Sequence, residues 1–149
     1  MNKFNEKLIS LNLPVQSWRE AIKQGGEILL KEGYITENYI NKMIKAVEDL
    51  GPYIVLAPGI AFAHSSPGEY INKTGISLIT FAEPVVFGHE TNDPVKILLT
   101  IASVNTEDHL ELLKKITIFL QNEENIDFLW RARTTQDKKN LVNKIRRGE

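Results

Sequence analysis

The sequence contains no cysteine. That absence removes disulfide frameworks, thiolate zinc sites, a cysteine nucleophile and any carrier that holds its cargo on its own sulfur. Long apolar runs are also missing. No stretch approaches the roughly 18 apolar residues that a membrane-spanning helix requires, and the opening segment MNKFNEKLISLNLPVQSW has no apolar core of signal-peptide length. A cytoplasmic location, with no direct membrane insertion, is therefore expected. Net charge is scarce too, with 18 basic against 19 acidic side chains. What is present, 149 residues of which 42% are hydrophobic, suits a single domain over residues 1–149. A chain of this size buries roughly 68–70% of the surface its unfolded form exposes, enough for a core without disulfides or a structural metal.

The near-zero balance hides a basic end. Arg131, Arg133, Lys138, Lys139, Lys144, Arg146 and Arg147 are interrupted by one acidic residue, Asp137. A nucleic-acid surface would interleave aromatics with such a run, and none occurs here. Leu141, Val142 and Ile145 instead recur at helical spacing, so a closing amphipathic helix with a solvated basic face is expected, and no nucleic-acid partner.

Upstream, the apolar period changes several times. Ser17-Trp-Arg-Glu20 fits a capping box, and Trp18, Ala21, Ile22, Ile28 and Leu29 then share one helical face as far as Gly33. Gly25-Gly26 inside that helix costs about 1 kcal/mol per glycine relative to alanine, which points to close packing at that place. The pair is no phosphate loop, because GxxxxGK[ST] occurs nowhere. Thr36 can cap a second helix with the stripe Tyr39, Ile40, Met43, Ile44, Val47 and Leu50, stopped by Gly51-Pro52.

Tyr53–Ala57 reads as a strand buried on both faces, and Gly59–His64 as a second short apolar segment. Gly75–Phe81 is a strand, Glu83-Pro84 a break, and Val85–Phe87 a short segment beyond it. Pro94 opens VKILLTIASV, the candidate central strand. Asn105 or Thr106 can cap a helix with Leu110, Leu113, Ile116, Phe119 and Leu120 inward, followed by helices near 123–131 and 135–147. The expected fold is α/β: one layered domain, a mixed β-sheet flanked by helices on both sides.

Position singles out two of the three histidines. His64 ends an apolar segment and enters a loop of small residues, Ser65, Ser66 and Gly68. His109 sits in the first turns of the helix after the central strand, where the helix N-terminus favours a neutral imidazole and nearby anions. A neutral imidazole nucleophile beside an anion-stabilising helix end suits phosphoryl chemistry. A histidine at a strand end is also an ordinary hydrogen-bonded structural residue, and the residues alone leave both readings open. His89, in Phe87-Gly-His-Glu90, has the setting of a loop side chain. Glu90, Asp93 and Asp108 lie near candidate histidines, yet no pair has the HExxH spacing of a metal helix. Ser65 and Ser66 do not lie in a GxSxG elbow.

Three segments, GPYIVLAPGIAFAH ending at His64, FGHETNDPV from Phe87 and DHLELL from Asp108, carry a resemblance to a known family. The chain resembles the enzyme IIA components of the sugar phosphotransferase system, mannitol/fructose type, and within it looks most like the ascorbate-specific branch. The similarity covers nearly the whole chain. Its most specific element is GIA-x-x-H after a strand, combined with a second histidine early in the helix after the central strand.

The resemblance implies a cytoplasmic phosphocarrier with no cofactor and no metal. It would take a phosphoryl group on His64 from the histidine-containing phosphocarrier protein and pass it to a cysteine of an enzyme IIB component. That step energises uptake of a sugar, L-ascorbate or a related compound, through a membrane enzyme IIC transporter. His109 would orient His64 or stabilise the phosphoryl group. Ser65, Phe87 and His89 would lie at the rim, with Pro67 and Phe62 as further apolar rim candidates. The same fold could alternatively serve as a regulatory binding module that responds to phosphorylation.

Two departures from the family pattern matter. Ala63 stands where a proline commonly precedes the acceptor, which leaves the local backbone freer. Glu48 stands about where mannitol-type members carry an arginine, so arginine assistance is not carried over.

Overall fold

Strand pairing places the last long apolar segment at the centre of the molecule. The computed structural model describes residues 4–147. The ends of the expected 1–149 span, residues 1–3 and 148–149, lie outside the described residues. Eleven elements follow in chain order. A 3-10 turn at Glu6–Leu8 leads into β1 (Ile9–Leu13), α1 (Trp18–Lys31), α2 (Glu37–Leu50), β2 (Val55–Ala57) and β3 (Ile60–Ala63). Next come β4 (Gly75–Val85), β5 (Val95–Ala102), α3 (Thr106–Leu120), α4 (Glu123–Arg131) and α5 (Thr135–Arg147).

The sheet order is β1-β4-β5-β3-β2. β5 runs antiparallel to β4 and parallel to β3; β1 is parallel to β4, and β2 antiparallel to β3. The sheet is therefore mixed. Alternation along β5 divides the core in two, as the pleat requires. Leu98 and Ala102 join the residues of α1 and α2, including Ala21, Ile22, Leu29, Tyr39 and Met43. Ile97, Leu99 and Ile101 join Leu112, Ile116, Leu129 and Leu141 of α3, α4 and α5. Helices thus cover both faces, and every β5 residue except Lys96 is buried.

Local chemistry accounts for the helix limits. The Ser17 hydroxyl accepts from the Glu20 N–H at 3.1 Å, while the Glu20 carboxylate accepts from Gln16 N–H at 3.4 Å. At α5 the Thr134 hydroxyl accepts from Asp137 N–H, and the Asp137 carboxylate accepts from Arg133 N–H and Thr134 N–H. Those amides hold the Asp137 carboxyl below its ordinary pKa. Leu141, Val142 and Ile145 turn inward, giving α5 the expected amphipathic arrangement.

Three local expectations need correction, and one strand was not foreseen. β2 is a three-residue edge strand with Leu56 exposed, so the strand enclosed on both faces is β3. Glu83-Pro84 does not end β4; the strand continues to Val85, and the disturbance is confined to a shift in pairing between Thr80 and Val85. Proline removes only one donor, which an irregular stretch of ladder tolerates. On α3 the inner face carries Leu112, Ile116 and Phe119, whereas Leu110 is exposed. β1 was missed, although Ile9, Leu11 and Leu13 alternate and Pro14 closes the run.

Candidate functional site

His64 is the first residue past β3, and α3 begins four residues beyond β5. Because β3 and β5 are parallel, with Ala63 opposite Thr100, the chain after β3 and the N-terminus of α3 emerge at the same end of the sheet. His64 and His109 meet there, their ring centroids 5.7 Å apart and the rings tilted by 47°. Both are half-buried.

The His64 ring is oriented by main chain. Its Nδ1 lies 2.7 Å from the Phe62 carbonyl oxygen. A carbonyl can only accept, so Nδ1 carries the proton and Nε2 of the neutral ring keeps its lone pair. Tyr53 stands edge-on to the imidazole at 5.7 Å, and its hydroxyl donates to the His64 carbonyl at 3.3 Å. From α2, the Tyr39 hydroxyl donates to the Ile101 carbonyl at 2.7 Å and accepts from Ser65 N–H at 3.0 Å. Burial is the main reason the Tyr39 phenol is pushed up to about 12 and the Tyr53 phenol is raised.

His109 is built differently. Its Nδ1 lies 3.3 Å from the hydroxyl of buried Ser103. Asn105 caps α3 by accepting from Asp108 N–H at 2.8 Å, and the Asp108 carboxylate accepts from the Thr74 hydroxyl at 2.7 Å. Thr74 Oγ1 also accepts from Val104 N–H at 3.1 Å, fastening the β5–α3 turn to the chain before β4. Burial first, and the neighbouring His64 second, hold the His109 imidazole below its ordinary pKa. The arrangement offers one nucleophilic nitrogen and a second imidazole, its cation disfavoured by burial, next to a helix N-terminus.

The other rim candidates divide. Ser65 and Pro67 follow His64 in the same loop and are partly exposed. Phe62 is buried in the core on the side of α3, α4 and α5 and offers no rim surface. Phe87 and His89 are not brought to the histidine pair. Their loop joins the end of β4 to the start of β5, and the eight residues of β5 separate it from the His64 end. At about 3.3 Å per strand residue that is roughly 25 Å. Phe87 is buried in the core beside α1 and α2. His89 Nδ1 accepts from Thr91 N–H and Asn92 N–H, closing its own loop, so the three histidines do not converge.

Both departures from the family pattern are visible. Ala63 lies within the β3–β5 ladder and is fully buried, so strand pairing restrains the backbone where a proline ring would otherwise do so. Glu48 is exposed and paired with Arg19, whose guanidinium lies over the Trp18 ring. Sequence reasoning missed Tyr39, Tyr53 and Ser103. Tyr39 was legible only as a core residue of α2, yet a buried phenol requires a polar partner, and that need is the available signal.

Known proteins resemble this chain in sequence and fold over nearly its full length. The ascorbate-specific PTS system EIIA component of Escherichia coli K12 is 38% identical over 139 residues, covering 93% of this chain and 90% of that protein. The solution structure of the mannitol-specific cryptic phosphotransferase enzyme IIA of E. coli superposes with a TM-score of 0.84 at 31% identity, covering 98% of this chain and 97% of that one. Enzyme IIA of the E. coli mannitol system, solved in complex with phosphorylated enzyme IIB, gives 0.83 at 28% identity, with coverage of 95% and 97%. Residues 2–145 match the family of phosphoenolpyruvate-dependent sugar phosphotransferase system EIIA 2 proteins. The protein belongs to that family, whose general activity is phosphoryl transfer.

Proposed function

We propose that the protein is a phosphohistidine carrier that accepts a phosphoryl group on Nε2 of His64 from the histidine-containing phosphocarrier protein and delivers it to a cysteine of an enzyme IIB component. The observation that carries this reading is the 2.7 Å contact of His64 Nδ1 with the Phe62 carbonyl, beside His109. In the first step the Nε2 lone pair attacks phosphorus in line, a P–N bond forms, and the donor's P–N bond breaks, returning a lone pair to the donor imidazole. In the second, a thiolate attacks the same phosphorus, a P–S bond forms, and the P–N bond to His64 breaks, returning its electron pair to Nε2. Neither step needs a metal or organic cofactor, since catalysis rests on positioning and charge stabilisation.

His109 stabilises the transferring group in this scheme. When the Ser103 hydroxyl donates to its Nδ1, its Nε2 carries the proton and donates to a phosphoryl oxygen. The positive end of the α3 helix dipole adds to that field. Likeness to ascorbate-specific EIIA components supports L-ascorbate, or a related compound, as the sugar whose uptake the relay drives through a membrane enzyme IIC. Likeness to an enzyme IIA captured with its IIB supports the acceptor partner. No helix among the described residues is long and apolar enough to cross a membrane.

The test combines phosphoenolpyruvate, enzyme I and the histidine-containing phosphocarrier protein with this chain, and follows intact mass. An acid-labile adduct of one phosphoryl group that disappears in His64→Ala is expected, with its transfer to an IIB cysteine when IIB is added. No adduct from a donor that phosphorylates a known enzyme IIA would sink the proposal.

A further inference from the structure

We infer that Tyr39 is a positioning residue for phosphoryl transfer, its buried hydroxyl tethering the main chain just after His64 to the end of β5; the role rests on the carrier reading above. The sheet alone does not fix the acceptor. The β3–β5 ladder ends at Ala63, so His64 and Ser65 extend past the last paired residue. Strand pairing on one side only restrains such a residue less than pairing on both, and the Nδ1 contact orients its ring without fixing the chain that follows, whose next main-chain bond to the β5 end is Gly68 N–H to the Ser103 carbonyl.

Tyr39 supplies the second attachment. It projects from α2, is 1% exposed, and accepts from Ser65 N–H while donating to the Ile101 carbonyl. The Ser65 carbonyl, 3.4 Å from the same hydroxyl, is too distant to compete for its single proton against the 2.7 Å bond to Ile101. One phenol thus joins the strand that leads into the His109 helix to the residue after His64. Tyr53, which approaches the His64 carbonyl from the turn before β2, carries a longer bond and does not reach β5. Burial keeps the Tyr39 phenol protonated throughout the working range, so the tether does not titrate. Being buried, Tyr39 touches no partner protein; its removal should lower kcat and leave KM for the donor alone.

The experiment compares wild type with Y39F, which deletes only the hydroxyl, in the phosphorylation assay above, with hydrogen exchange at the Ser65 amide and the His64 ring tautomer read by nitrogen NMR. A slowly exchanging Ser65 amide is expected in wild type. In Y39F that protection should be lost, the Nδ1–H tautomer should cease to dominate, and kcat should fall about 10-fold or more, the scale of a small misplacement of a reacting group. A second variant, an ester in place of the Ser65 amide, removes the N–H but keeps the phenol and should reproduce the kcat loss even if Y39F folds poorly. Wild-type kcat in either folded variant, a loss expressed only in KM, or an unprotected Ser65 amide in wild type would overturn the tether. A wild type that takes no phosphoryl group while Ser65 stays protected overturns the carrier reading instead.

Discussion

At the scale of single residues, the environment of each imidazole sets its task. His64 has one nitrogen committed to a carbonyl and the other left as a base, while His109 lies where burial disfavours its cation. Its folded pKa is therefore depressed below 6.5. For a depressed histidine the stability contribution is complete above the unfolded value near 6.5 and is lost as pH falls below it through the folded value. The urea midpoint should accordingly drop between pH 7.5 and pH 5, and drop less in His109→Gln. An NMR titration of His109 should show its midpoint rising in His64→Ala, because one cause of the depression is removed, and rising further when His64 carries a phosphoryl dianion. A His109 midpoint at or above 6.5 in the free protein would contradict this account. If His109 donates to the transferring group, His109→Gln should slow phosphoryl acceptance by about 10²–10³-fold without preventing it, the usual loss for one preorganised donor. Rapid-quench measurement of the first turnover reads that directly.

At the scale of elements, the glycine pair of α1 shows how an apparent weakness in a helix serves the sheet. A Cβ at Gly25 would run into the Thr100 hydroxyl on β5, and one at Gly26 would meet Ile40 of α2 at 2.6 Å. Ser77 on β4 donates to the Gly25 carbonyl at 2.8 Å, so α1 lies directly on two central strands. Helix propensity favours alanine by about 1 kcal/mol, but overpacking a core costs about 1–3 kcal/mol. Gly25→Ala should therefore destabilise the protein by up to roughly 2 kcal/mol in urea denaturation, the reverse of its effect in an exposed helix. Thr100→Ala should restore much of the loss, because it removes the obstructing hydroxyl, which is buried with no hydrogen-bond partner. A stabilising Gly25→Ala would show that α1 can move off the sheet.

At the scale of the whole molecule, the two ends of the sheet hold different machinery. One end carries His64, His109 and their tyrosines. At the other, the Asp93 carboxylate accepts from the N–H groups of Phe87, Gly88 and His89, and Asn92 bridges to Val55 and Gly59. That loop closes on itself. Asp93→Ala should cost on the order of 1–3 kcal/mol of stability, as amides lose a charged acceptor. It should leave the phosphorylation rate at its wild-type value at a temperature where the variant is folded. His89→Ala should likewise leave the rate unchanged. A clear loss of transfer in a folded His89→Ala would show that this end takes part in the reaction.

Much of this was determined by the sequence itself. Helical period and caps marked α1, α2, α4 and α5 to within a residue or so, and Pro94 with the apolar run after it marked the central strand, because such signals act over a few neighbouring residues. The motif ending at His64 and the early position of His109 were equally local. Only the tertiary structure decided what pairing across the sheet controls: that parallel β3 and β5 bring His64 to His109, and that β5 carries His89 to the far end. It also decided that Tyr39 spends its hydroxyl on two backbone groups distant in sequence. A contact between residues 26 or 62 positions apart leaves no mark on local spacing, since it depends on how the layers close rather than on what precedes or follows in the chain.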